Sequence, residues 1–269
     1  MEHTLNLASV SNARELGGFA AGGKTVKHGI LLRTASLSAL SPEDKSILET
    51  TYRVATVVDL RMSVERELAS DPAISGAENV FLPVLEMEDY PGYDPELVKQ
   101  FFAPNADRLA MMKMAMELGM LSDRLYVDFL FSERGKIAYR GLFRALLELP
   151  DGRAILWHCT DGKDRTGIAA MLILTALGAT RQTILKDYLL TNTYNVEKLT
   201  AVRTGLEHSP LTPELRELIL FGSGAVFERF MTNALDAMDG RCGSPEGYLA
   251  RELGFGAAEC DALRQKYLE

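Results

Sequence analysis

The sequence predicts an α/β fold: a central sheet flanked by helices, followed by a helical C-terminal half. Three observations carry this. Short apolar or β-branched runs at 54–58, 79–84 and 154–157 alternate with segments of helical spacing. The run Ala154-Ile155-Leu156-Trp157 leads through a short polar loop into an apolar helix pattern, Ile168 to Leu177, that stops at Gly178. Beyond that glycine, the patterned segments read as helix.

The elements follow in chain order. Residues 4–23 are turn-rich, and Val26 to Arg33 is apolar enough for a strand. Ser41-Pro42-Glu43-Asp44 combines an N-cap, a proline at the first helical position and acidic first-turn residues, so a helix is expected to about Thr50. Val54 to Arg61 is β-branched and reads as a central strand. Asp59 and Arg61 stand at its carboxyl end, where α/β sheets bind ligands. Glu65 and Arg66 begin a polar helix, and Asn79 to Val84 is a short strand that Pro83 confines to an edge or an end. Residues 86–124 open acidic and turn-rich, then give two helical pieces, Leu97 to Phe102 and Ala106 to Leu121. Their methionines (111, 112, 114, 116 and 120) suit adaptable core packing. Leu125 to Leu149 supplies one or two amphipathic helices, and Pro150-Asp151-Gly152 turns the chain into the Ala154 strand. Helices follow at 181–191 and 194–207. Cap-plus-proline starts recur at Thr212-Pro213-Glu214 and Ser244-Pro245-Glu246, and 248–254 with 257–268 close as a helical pair.

Composition narrows the class. The 269 residues are 47% hydrophobic, enough for a large core, and no linker-like stretch divides them, so one domain over 1–269 is expected. A net charge of −8 argues against non-specific nucleic-acid binding. Three cysteines (159, 242 and 260) fit free thiols in a reducing compartment better than a disulfide framework. Met1 to Asn6 has neither a basic region nor an apolar core, so the expected location is cytoplasmic, or secreted without a Sec signal. No run approaches the ~20 apolar residues of a membrane span, and no stable membrane insertion is expected.

The chemistry concentrates in His158-Cys159-Thr160-Asp161-Gly162-Lys163-Asp164-Arg165-Thr166-Gly167. Lying between a strand and a helix, this loop sits at a helix N-terminus, where unpaired N–H groups and the helix dipole favour an anion. Cys159 begins it and Arg165 ends it, with five residues between. A thiol in such a field is favoured as thiolate, its nucleophilic form. Five residues let successive N–H groups curl into a nest the size of a phosphate, with Gly162 supplying the backbone freedom. Arg165 can fork two hydrogen bonds onto phosphate oxygens, and Thr166 brings a hydroxyl near the sulfur. The spacing reads as phosphoryl transfer through a phosphocysteine. Other readings fit poorly. A structural core cysteine would not precede five polar or glycine residues and an arginine. A nucleotide P-loop fails at Trp157 and Asp164, and a thioredoxin C-x-x-C fails at Gly162.

H-C-x5-R resembles the signature of the cysteine-dependent protein tyrosine phosphatase superfamily, and HCxxGKDRTG resembles its bacterial tyrosine/serine phosphatase branch. The resemblance runs over nearly the whole chain. Asn12-Ala13-Arg14-Glu15-Leu16-Gly17-Gly18 is similar to the family's N-x-R-[DE]-L-G-G segment, Arg33-Thr34-Ala35-Ser36-Leu37 to R-[TS]-[AG]-x-L, and Asp59-Leu60-Arg61 to its D-L-R element. It implies a cysteine-phosphatase-like sheet and a helical lid within 86–124. It also implies a broad-specificity phosphatase acting on phosphotyrosine and on phosphoserine or phosphothreonine in proteins, with phosphoinositides or inositol phosphates as alternative substrates.

The site follows from the same resemblance: Cys159 as nucleophile, Arg165 on the phosphate, and Asp164 as general acid, because no W-P-D segment occurs. Asp59 and Asp161 are the other acid candidates. Thr160, Asp161, Gly162, Lys163 and Thr166 would surround the phosphate, with Arg33 and Asp59 close by. Read without the family, Arg33 is a solvated or structural charge and Asp59 a brace for the loop. Lys163 adds a second cation, which suits multiply charged substrates. Asp161 departs from the family, which often carries alanine there; a carboxylate costs affinity for a dianion unless it points away from the nest. No cofactor is implied, and no metal-ligand spacing stands out.

Overall fold

The computed structural model describes residues 3–89, 110, 113, 122–207 and 209–269. The helices expected at 97–102 and 106–121 lie outside these residues, save Ala110 and Lys113, and so does the lid expected within 86–124, save those two and residues 86–89 and 122–124. Among the described residues, the strands are β1 (Arg14–Glu15), β2 (Ala20–Ala21), β3 (Lys24–Thr25), β4 (Leu31–Thr34), β5 (Val54–Asp59), β6 (Glu78–Phe81) and β7 (Ala154–His158). Five of them form the central sheet in the order β1-β4-β7-β5-β6, and β2 and β3 make a separate hairpin. Strands β4, β7, β5 and β6 are mutually parallel, and β1 runs antiparallel to β4.

The near-continuous apolar character of the inner strands follows from burial on both faces. In β7, Ile155 and Trp157 join the larger core beneath the C-terminal helices. Ala154 and Leu156 join a second core with Leu5, Leu37 and Leu48. Strand β4 divides the same way between Leu31 and Leu32. Register then does the positioning. Thr34 pairs with His158, and His158 with Asp59, so three parallel strands end level and Cys159 leaves the sheet between two neighbours.

Among the described residues, the named α-helices are α1 (Pro42–Ser46), α2 (Ser63–Leu68), α3 (Leu125–Phe131), α4 (Glu133–Glu148), α5 (Arg165–Leu177), α6 (Arg181–Tyr194), α7 (Val196–Leu206), α8 (Pro213–Gly222), α9 (Glu228–Cys242), α10 (Pro245–Tyr248) and α11 (Ala257–Tyr267). Helix α5 is buried at every residue from Thr166 to Leu177, as a helix apolar all round must be, and ends at Gly178 in the left-handed conformation (φ 84°). Ser41, Thr212 and Ser244 each cap a helix that begins with proline, as their sequences predict.

Two boundaries differ from expectation. The strand expected from Val26 starts only at Leu31, because residues 28–30 turn through Gly29 at φ 73°; Val26 bridges Leu268 instead. The helix after Ser41 keeps α geometry only to Ser46 and widens into a π turn over Ile47–Thr51. Leu125 to Leu149 is two helices, divided at Ser132, whose hydroxyl accepts the Gly135 N–H and starts α4. Pro83 falls beyond β6, an edge strand, where its missing N–H costs no ladder bond.

Candidate active site

Cys159 follows β7 directly and is 2% exposed, and Arg165 opens α5, so the intervening loop lies on the N-terminal end of the most buried helix. The loop is held from outside by its carbonyls. The Thr160 carbonyl accepts from the Ser36 N–H at 3.0 Å. The Asp161 carbonyl accepts from Asn12 Nδ2 at 3.4 Å, and the Gly162 carbonyl from Asn12 Nδ2 and Arg33 Nη2, each at 2.8 Å. In a planar trans peptide the next N–H points the opposite way, so outward carbonyls turn the N–H groups of 161–163 toward the concave side. Gly162 adopts φ 65°, and a Cβ there would lie 2.4 Å from the Thr34 carbonyl oxygen. Both the left-handed backbone and the close approach of β4 require glycine.

Behind the loop lies a buried charge network that gives the Asn12-to-Gly18 segment its physical role. Asp187 of α6 accepts from Arg14 Nε at 3.0 Å and from Arg33 Nη1 at 2.5 Å, all three side chains being fully or almost fully buried. Arg14 also donates to the Asp187 carbonyl, to Thr191 Oγ1 and to the Asn12 side chain. Burial opposes ionisation of Asp187, but the two guanidiniums outweigh it and hold the carboxyl below its ordinary value. Burial, and then the charge of Arg14, pull Arg33 down to about 10. Arg33 is thus joined to the loop through the Gly162 carbonyl. Asp187 lies on the same stripe of α6 as the buried Ile184, Tyr188 and Thr191; a carboxylate on a core stripe is the signal that marks it in the sequence. Asp187→Asn leaves two buried arginines facing a neutral amide. We expect a loss of about 3–5 kcal/mol in urea unfolding; a loss under about 1 kcal/mol would show that the arginines find other partners.

On the open side, Arg165 is gripped by Glu65 of α2: Nη1 to Oε2 at 2.5 Å and Nη2 to Oε1 at 2.9 Å. The Glu65 carboxylate also accepts from Thr160 Oγ1 and from the Met62 N–H at the start of its own helix. Burial opposes its ionisation, yet Arg165, Thr160 and the Met62 N–H hold its carboxyl down at about 2. The same contact, against the cost of burial, raises Arg165 well above its usual value. Glu65 takes one hydrogen from each terminal nitrogen and Nη2 also donates to Thr160 Oγ1 at 3.5 Å, so among the described residues Nε–H and the outer Nη1 hydrogen are left for an anion. Sequence reading placed Glu65 only at a helix start; nothing in a polar six-residue helix marks it as the partner of a residue a hundred positions away.

Asp164, at the N-cap of α5, has both oxygens engaged: Oδ1 accepts from Tyr126 Oη at 2.6 Å, and Oδ2 pairs with Lys163 Nζ at 2.7 Å. Lys163 is 2% exposed, its ammonium 3.4 Å from the centroid of the Phe221 ring. Thr166 Oγ1 is buried without a hydrogen-bond partner among the described residues. Asp161 is half-buried, and only its backbone carbonyl is engaged among the described residues.

Asp59 turns toward Arg61, which it binds through both carboxylate oxygens at 2.9 and 2.8 Å. Burial is again outweighed, chiefly by Arg61 and then by His158, so the Asp59 carboxyl is lowered. His158 Nε2 lies 3.2 Å from Asp71 Oδ2. Among the described residues, Asp59, Asp71 and His158 form one group close enough to hold a metal ion, their ligand atoms within 4.8 Å. Arg61 Nη2 already bonds both carboxylates, at 2.8 and 2.6 Å, and supplies the positive charge there.

No helix among the described residues is long and apolar enough to cross a membrane. Over 273 aligned residues the chain is 32% identical to a Cupriavidus necator protein named as a tyrosine-protein phosphatase, covering 99% of this chain and 89% of that one. It is 34% identical over 135 residues to a Mycobacterium tuberculosis protein named triple specificity protein phosphatase, covering 47% and 48% of the two chains. A tyrosine-protein phosphatase of Nostoc commune is 25% identical over 234 residues, covering 87% of this chain and 72% of that one. The family model described as the tyrosine phosphatase family matches residues 5–269. A match of that extent takes in the central sheet, the loop on α5 and every helix around it: the chain belongs to the tyrosine phosphatase family and is a protein-tyrosine phosphatase.

Proposed function

We propose that the protein removes phosphate from phosphotyrosine in proteins through a phosphocysteine on Cys159, with a specificity broad enough to include phosphoserine and phosphothreonine. The observation that carries this reading is the pairing of Cys159, at the floor of the loop, with an Arg165 fork that Glu65 holds in one orientation. The Cys159 thiolate attacks phosphorus in line; the S–P bond forms as the bond to the leaving oxygen breaks. Arg165 and the loop N–H groups hold the three remaining oxygens. Asp164 protonates the leaving oxygen, then as carboxylate accepts a proton from the water that displaces the sulfur. The Thr166 hydroxyl stabilises the departing thiolate. Thr160, Asp161, Gly162 and Lys163 contribute backbone to the nest. Arg33 acts through the Gly162 carbonyl, and Asp59 through Arg61 and His158, neither touching the substrate. The reaction takes no cofactor and no metal.

The alternative, a phosphoinositide or inositol phosphate substrate, relies on Lys163 as a reader of extra phosphate. Its ammonium is occupied by Asp164 and Phe221, which favours the phosphoprotein reading. Lys163→Ala should therefore lower kcat/KM on phosphotyrosine peptides and on phosphoinositides by the same few-fold, since one charge-assisted contact within the loop is lost on both. A selective loss on phosphoinositides would place Lys163 on the substrate. The reading as a whole is tested by steady-state assays on phosphotyrosine peptides, phosphoserine peptides and phosphoinositides in a chelating buffer. Fastest turnover of phosphotyrosine is expected, and a phosphoinositide preference would overturn it.

A further inference from the structure

Asp164 is reached by a chain of buried hydroxyls that the proposed mechanism does not use. Tyr126, on α3, and Tyr188, on α6, are at most 1% exposed. Tyr126 Oη lies 2.6 Å from Asp164 Oδ1 and 2.9 Å from Tyr188 Oη, and Tyr188 Oη lies 3.4 Å from the Phe227 carbonyl oxygen. A buried phenol packed for shape alone has no need of a carboxylate at the end of its ring. Here two phenols from different helices line up on one carboxylate oxygen.

We propose that Tyr126, backed by Tyr188, is a positioning residue that anchors Oδ1 of Asp164 and so leaves Oδ2 to give and take the leaving-group proton. This rests on the assignment of Asp164 as the acid.

Counting protons shows why two phenols suit a group that must be an acid in one step and a base in the next. When Asp164 is ionised, Tyr126 donates to Oδ1 and Tyr188 donates to Tyr126; the Phe227 carbonyl then keeps only the Phe230 N–H, in keeping with its longer distance from Tyr188. When Asp164 carries a proton on Oδ2, the same arrangement holds. When it carries one on Oδ1, that proton goes to Tyr126, the Tyr126 proton to Tyr188, and the Tyr188 proton to the Phe227 carbonyl. Three contacts can then hold three protons. The half-buried carboxyl is hydrogen-bonded in each case, without new partners and without moving. Lys163 occupies one lone pair of Oδ2 and leaves the other for transfer.

The groups around Asp164 are consistent with this. They are Lys163 beside it, Arg165 at the start of α5, Tyr126 from α3, Tyr188 from α6 and, farther off, Tyr139 from α4. Burial, and next the charge of Asp164, push both Tyr126 and Tyr188 above the ordinary tyrosine range, so both remain donors at working pH. The rings have separate support, since Tyr126 packs on Phe129 and Phe230 and meets Tyr188 edge-on. Removing a hydroxyl therefore need not empty the core.

The test compares Tyr126→Phe, Tyr188→Phe, Asp164→Asn and the double variant Tyr126→Phe/Asp164→Asn on aryl phosphates spanning leaving-group acidity, with thermal melts as the check on folding. A misplaced acid matters most when the leaving oxygen needs the proton. We expect Tyr126→Phe to lose roughly tenfold in kcat on poor leaving groups, about the worth of one hydrogen bond. The loss should be under about threefold on a strongly acidic phenol, with KM unchanged. Tyr188→Phe should show the same pattern more weakly, and it carries the test if Tyr126→Phe does not fold. The double variant should be no worse than Asp164→Asn alone. If Asp164→Asn has the steep leaving-group dependence while the tyrosine variants lower all substrates alike, or none, the tyrosines only fill space and the proposal falls. If Asp164→Asn itself has no such dependence, the acid assignment is wrong and the proposal falls with it.

Discussion

Cys159→Ser is expected to abolish turnover while leaving the fold unchanged. The substitution exchanges one atom at a position 2% exposed, and a hydroxyl fills the site without a clash. Its chemistry is another matter. A serine hydroxyl is far harder to ionise than a thiol, and no general base stands ready to take its proton. In the proposed mechanism Asp164 enters the first step already carrying the proton it gives the leaving oxygen, and His158, next in sequence, faces Asp71 and the Cys159 carbonyl. The loss should be on the order of 10⁴-fold or more in kcat, as for removal of a nucleophile elsewhere. Circular dichroism and the thermal midpoint should match the parent, and acid-quenched parent enzyme should carry phosphate on Cys159 where the variant carries none. Retained activity in a chelating buffer would sink the phosphocysteine mechanism.

Arg165→Lys is expected to cost ~10²–10³ in kcat/KM, the scale of losing a fixed donor aimed at transition-state charge. The geometry explains why this exchange is not conservative. Arg165 spends one edge of a planar fork on Glu65 and presents its remaining donors outward. An ammonium has one centre. With the Glu65 carboxyl held near 2, the carboxylate stays charged through the working range and would hold the lysine to itself. The phosphate would then lose both the fork and part of the positive field. A variant within a few-fold of the parent would show that Arg165 does not grip the phosphate.

The legible and the illegible parts of this protein divide by distance along the chain. The strand Ala154–His158, the nest and the helix to Leu177 were readable because apolar strand, polar curl and apolar helix follow one another without interruption. Helix starts at Ser41, Thr212 and Ser244 were readable because capping is a contact between residues three apart. Boundaries were less so. Val26 to Leu31 has strand-like composition, but Gly29 turns there, and Val26 pairs with Leu268 at the far end of the chain.

The site divides in the same way. By itself the sequence determined a tight loop that opens on Cys159 and closes on Arg165 between a strand and a helix, because these lie within seven consecutive residues, and the proposed chemistry rests on that spacing. It also marked Asn12 and Arg14 in one family-like segment and Arg33 in another, without saying that they meet. Only the tertiary structure decided that Asp187 neutralises Arg14 and Arg33 beneath the loop, that Glu65 orients Arg165 above it, and that Lys163 turns to Asp164 and Phe221. Each of these is a charge contact at 2.5–3.4 Å, across up to 173 residues of chain. A charge in a sequence has no partner until the sheet register and the packing of α2 and α6 bring one within reach, and in a low-dielectric interior the partner decides what the charge can do.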